Sequence, residues 1–213
     1  MMTVALIEDR LDRLMEYADQ NLMEIKPLEI INAKTFEALS AELAEGKTRS
    51  LDSYNCIICH RSALNIDQRE LLAKYCAGRK IPLVFFSGSI SSSSYQDTVS
   101  PILYLNSKDL YSKNIHIFFE HIQKHGEINL LVLQFGERWK LSLLLTTRNS
   151  ITYKANMGTI KRIRDFSLPK DIIEELVQKQ KLGWLAAEPI VTVSQAQILE
   201  LTQKLKVLIN DTL

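Results

Sequence analysis

Two carboxylates stand side by side at Glu8 and Asp9, directly after the apolar run Thr3 to Ile7. Such a pair at a strand end can hold a hard, oxygen-seeking cation, or it can cap the helix that follows, whose N-terminus favours negative charge. His60 closes a second run, Tyr54 to Cys59. An imidazole titrates near neutrality, so it could move a proton or accept a phosphoryl group, or serve as a hydrogen-bonded structural residue. Ser87 ends a third run, Ile81 to Phe86, and Lys108 follows a fourth, Ile102 to Leu105. An α/β enzyme with its site at the carboxyl edge of a sheet would draw on Asp9, His60 and Ser87. The chain has neither a Gly-rich phosphate loop nor a nucleophile elbow to support that reading.

Cys59 beside His60 has the composition of a thiolate–imidazole pair. Neighbours along a strand point to opposite faces, so the two should not meet. Cys56 and Cys59 have C-x-x-C spacing but sit within one strand and lack a second pair, which argues against zinc. Three cysteines are an odd number and suit reduced, buried thiols.

The elements that would position these residues alternate. TVALI, LEIIN, YNCIIC, IPLVFF and ILYL read as five strands. Helical spacing follows each of them: Leu11 to Leu22, ended by Pro27; Phe36, Leu39 and Leu43; Leu71 to Cys76; a weak helix after the serines Ser89 to Ser94, themselves expected as a mobile loop; and Ile115 to Ile122. Strict alternation implies a doubly wound five-stranded parallel sheet covered on both faces, over residues 1–126. Beyond Gly126 the period changes. INLLVLQF and KLSLLLTT, with Gly136 between them, suggest a hairpin, followed by helices from Pro169 and from Ser194. Residues 127–213 are thus expected as a small α+β module of a hairpin plus two helices.

The chain is 46% apolar and 24% charged with a net charge of +1. That is ordinary for a globular protein and gives no bulk attraction to nucleic acid. No apolar run reaches the roughly 20 residues of a membrane span, and the reading is cytoplasmic, without membrane. The two parts carry mild opposite charge, −2 up to Gly126 and +3 after it. Lys154, Lys161, Arg162 and Arg164 form a basic segment that could contact phosphates or simply face solvent.

Residues 1–126 resemble the receiver domain of bacterial response regulators, a flavodoxin-like fold. Glu8 and Asp9 stand where that family holds Mg2+, and Ser87 stands at the hydroxyl position ending the fourth strand. The third strand departs from the family: YNCIICHRS has His60 where the phosphate-accepting Asp belongs, and no residue from Asn55 to Ala63 is acidic. The family's Lys-Pro after the fifth strand is also missing, with Lys108 two positions late. The resemblance therefore implies a pseudo-receiver, non-enzymatic and without cofactor or metal. It would act through protein partners or as a homodimer, with nucleic-acid binding by the basic segment as the alternative. The resemblance places the contact face on the last helices and strand, with Tyr104, Tyr111, Ile115 and Phe119 as candidates. Leu201 and Leu205 offer a second seam.

Overall fold

The computed structural model describes residues 2–10, 12–13, 28–31, 33–97, 99–166 and 168–213. The helix expected over Leu11 to Leu22 and its stop at Pro27 lie mostly outside these residues. The chain divides into two compact units, Met1–Glu137 and Arg138–Leu213.

The first unit is α/β. Its strands are β1 (Val4–Ile7), β2 (Leu28–Ile31), β3 (Cys56–His60), β4 (Leu83–Ser87), β5 (Ser94–Asp97) and β6 (Pro101–Asn106). Its helices are α1 (Ala33–Ala44), α2 (Ile66–Arg79), α3 (Ser107–Leu110), α4 (Asn114–His125) and α5 (Leu130–Phe135). The sheet order is β2-β1-β3-β4-β6-β5, with β5 antiparallel and every other pairing parallel. All five expected strands are present, and the parallel part is compatible with a flavodoxin-like arrangement.

Every residue of β1 and β3 is buried, as continuous apolar runs in a parallel sheet require. Alternation divides them between two faces. Ala5, Ile7, Ile57, Cys59, Leu83 and Phe85 pack against Leu39 and Leu43 of α1 and Leu72 and Cys76 of α2. Glu8, His60 and Phe86 lie on the other face, by the register Ile7↔Cys59 and His60↔Phe86. α2 starts at a capping box of Asn65 and Gln68 and ends at Lys80 in the left-handed region, φ 58°.

Three expectations need correction. The serines form a loop up to residue 93, but the chain from Ser94 is the edge strand β5 rather than a weak helix. The hairpin is absent: INLLVLQF becomes α5, capped by Asn129, whose side chain accepts from the Leu131 amide at 3.0 Å. KLSLLLTT lies inside an 18-residue helix, α6 (Trp139–Asn156), which buries Leu144, Thr147 and Ile151 at helical spacing. Short apolar runs do not separate strand from buried helix by period alone. Gly136 at φ 71° closes α5, and a Cβ there would lie 3.0 Å from Asn114 Oδ1. α5 packs on α4 and β6, so the first unit runs to Glu137, past the expected boundary at Gly126.

The second unit is helical. α6, α7 (Lys170–Gln178) and α8 (Gln195–Thr212) are its main elements, and α6 packs along α8. Among the described residues its strand content is one isolated bridge, Arg162 to Thr192. The helices expected from Pro169 and Ser194 are both present; Ser194 caps α8 with Gln197 in a capping box.

All three thiols are buried and unpaired with one another. Cys56 and Cys59 face opposite sides of the sheet, so the C-x-x-C spacing brings no pair together. Burial pushes Cys76 up to about 12 and raises Cys56 and Cys59 as well. The native protein is expected to leave Ellman's reagent unreacted at pH 8 and to release three equivalents on denaturation. Fast labelling of even one thiol in the native state would contradict this packing.

Candidate functional site

β1 and β3 end side by side at the carboxyl edge of the sheet, which brings Glu8, Asp9 and His60 together across more than fifty positions of sequence. Glu8 and His60 are each 2% exposed. One donor atom from each of the three lies within 4.8 Å of the others. His60 Nδ1 is 3.1 Å from Asp9 Oδ1 and 2.6 Å from Ser62 Oγ. Its Nε2 is 2.6 Å from Arg13 Nη1.

Arg13 decides the protonation of this ring. A guanidinium only donates, so Nε2 must accept and Nδ1 must carry the proton. That proton points at Asp9 Oδ1 and Ser62 Oγ, while the Ser62 hydroxyl donates to Asp9 Oδ2 at 3.4 Å. The imidazole is neutral and both nitrogens are committed. Burial lowers its pKa, and Arg13 reinforces this against the pull of Asp9.

Glu8 is pushed up to about 7, chiefly by burial, and its hydrogen bond to Asp9 acts in the same direction. Three groups oppose the rise. Tyr111 donates its hydroxyl to Oε2 at 2.7 Å, the Arg10 amide donates to Oε1 at 3.3 Å, and Arg13 Nη1 lies 3.9 Å from Oε2. Asp9 is the complementary partner. Burial would raise it, but the bond from Glu8 and the proximity of His60 hold it below the ordinary carboxylate range. Of the two, Glu8 is therefore the carboxyl that holds a proton below about pH 7.

The three donors are near enough to suggest a cation. The chemistry of the set does not fit one, because the His60 nitrogen facing the carboxylates carries a proton and Arg13 places a positive charge beside Glu8. Aromatic rings close the back of the cluster. Phe86 meets the His60 ring edge-on at 5.0 Å, and Tyr111 meets Phe86 in the same way at 5.6 Å.

No family model, curated protein or solved structure matches this chain.

The remaining expected site residues fall elsewhere. Ser87 projects to the face opposite His60, with its hydroxyl 3.0 Å from Ser89 Oγ, so Asp9, His60 and Ser87 do not converge. Lys108 lies in the first turn of α3, where its amide donates to the Asn106 cap at 2.9 Å. Tyr104 is half-buried and stacks on Phe85, rings 5.8 Å apart. Ile115, Phe119, Leu201 and Leu205 are wholly buried, so as contact residues they are corrected: their stripes are covered within the folded chain. In the basic segment Asp165 accepts the Lys161 and Arg162 amides at 2.9 and 2.8 Å, and Lys161, Arg162 and Arg164 are exposed. Lys154 instead donates to the Asp165 carbonyl at 2.8 Å.

Sequence reading missed Arg13 and Ser62. Arg13 lies only four positions after Asp9, so the chain leaving β1 can bring it back to the same strand end. Tyr111 was read as a contact residue, and its hydroxyl turns inward.

Proposed function

We propose that the N-terminal unit is a pseudo-receiver, a regulatory module that acts through protein contacts and transfers no phosphoryl group. One observation carries the reading: the residue at the acceptor position, His60, is neutral, buried and hydrogen-bonded on both ring nitrogens by Arg13, Asp9 and Ser62. A nucleophilic nitrogen needs a free lone pair, and here the one lone pair is held by a guanidinium. The expected result with acetyl phosphate and Mg2+ is an unchanged intact mass. A stoichiometric phosphoryl adduct that disappears in His60→Ala would overturn the proposal.

Contacts through Ile115, Phe119, Leu201 and Leu205 are closed by their burial, and the proposal places self-association on apolar side chains that stand outside. On α8, Leu199 is 61% and Val207 42% exposed. Replacing Leu199 by Glu leaves the buried stripe of α8 intact and is expected to weaken self-association roughly tenfold or more, since an anchor side chain contributes about 1.5–3 kcal/mol. Sedimentation over a concentration series reads this directly. A wild type that stays monomeric throughout removes the homodimer from the proposal.

A further inference from the structure

The sheet face opposite His60 is covered by α1 and α2, with Ile102 and Tyr104 of β6 only partly buried against that core. Among the described residues between β4 and β6 there is no helix; the connection forms the edge strand β5 instead. An open cavity of about 190 Å3 is left between α2 and the sheet. Its floor is aromatic: Phe85 and Tyr104 lie with their rings 5.8 Å apart and 27° from parallel. Ile66 and Ala73 of α2 form the apolar wall.

Two arginines, Arg61 and Arg69, line the same space. Arg69 donates Nη1 to the Arg61 carbonyl at 3.1 Å, which fixes its position and leaves its other donors uncommitted by that bond. Among the described residues the Arg61 side chain has no hydrogen-bond or ion-pair partner. Glu70 also lines the cavity, so the local formal balance is +1.

These features select a ligand. An aromatic floor favours a planar ring, and a guanidinium favours a carboxylate, which it can grip in bidentate fashion. The balance of two arginines and one glutamate matches one negative charge. The volume lies below the usual range for larger organic ligands and admits one ring with its acid, not a nucleotide. We infer that this cavity binds a small, monoanionic aromatic carboxylate. The inference is independent of the pseudo-receiver reading, whose test is phosphoryl uptake.

The test is a titration of the full, 15N-labelled chain with three probes: benzoate, its neutral isostere benzamide, and adenosine monophosphate. Benzoate is expected to shift the amides of Arg61, Ile66, Arg69 and Ala73 with a saturating curve in the millimolar range. Benzamide should bind roughly tenfold or more weakly, and so should benzoate to Arg61→Gln. Tyr104→Leu should also weaken benzoate. The spectra themselves show whether each variant is folded. The inference is overturned by the absence of saturable shifts at these amides, by benzamide matching benzoate, by Arg61→Gln binding as wild type does, or by the nucleotide binding more tightly.

Discussion

A chain ending at Gly126 is expected to lose the cooperative fold of the N-terminal unit, and a chain ending at Glu137 to keep it. The difference is α5, in which Leu130, Leu131, Val132 and Leu133 are each at most 2% exposed. Burying one such side chain contributes roughly 1.5–3 kcal/mol, and part of that is already present in a compact unfolded chain. Losing four together still removes an amount comparable to the roughly 5–15 kcal/mol that holds a whole domain. The shorter fragment would also expose the surfaces of α4 and β6 that α5 covers. Hydrogen exchange on the two fragments decides the matter. Equal protection of the β3 and β4 amides in both would show α5 to be dispensable and the unit to end earlier.

The second large effect is expected at Glu8. Its folded-state pKa of about 7 lies above the ordinary 4.5, so the native state holds a proton that the unfolded chain has released. Stability from this group is complete below pH 4.5 and is lost as pH rises toward 7. Glu8→Gln has no carboxyl to ionise, and an amide oxygen can still accept from Tyr111. The variant should therefore gain on the wild type across this window, by up to about 3 kcal/mol at pH 8. His60 works in the opposite sense: its lowered pKa makes stability fall as pH drops below 6.5. Both proteins share that dependence, so the difference between them isolates Glu8. Denaturant unfolding of the pair at pH 5 and pH 8 measures it. A constant difference between the two curves would mean that Glu8 is ionised throughout.

The parallel sheet was legible because its strands are unbroken apolar runs, VALI and CIICH among them, separated by helical spacing. β5 was not legible, since SYQD is polar and short, and its strand character comes from pairing with β6 rather than from its own residues. The C-terminal hairpin failed for the converse reason. LLVLQF and LSLLL are apolar enough for either structure, and the choice fell to Asn129 as a helix cap and to burial on neighbouring helices. Gly126 was taken for the end of a domain because it stops a periodic segment. It stops only α4, at φ 69°. At the site, Glu8, Asp9 and His60 were readable as strand-end residues. The hand that closes them, Arg13, was not, because a guanidinium on a helix surface looks like solvent-facing charge until the fold shows what stands opposite. Apolar stripes misled in the same way: Phe119 and Leu205 have the spacing of an interface, and only the packed chain shows that both are already covered.

The strand order also governs the sequence of events when the chain first folds. Val4 pairs with Leu28 on one side and Cys56 on the other, so β1 is made first yet cannot complete its ladder until β3 has been synthesised. Closing those loops costs entropy before any contact returns it. β5 and β6 stand apart from this: Asp97 pairs with Pro101, so their ladder needs no long loop, and hairpins of this kind close in about 1–10 µs. The segment that departs from the parallel pattern is thus a piece of the sheet with a nearly local route to its native pairing, while β1, buried along its whole length, must wait longest for its neighbours.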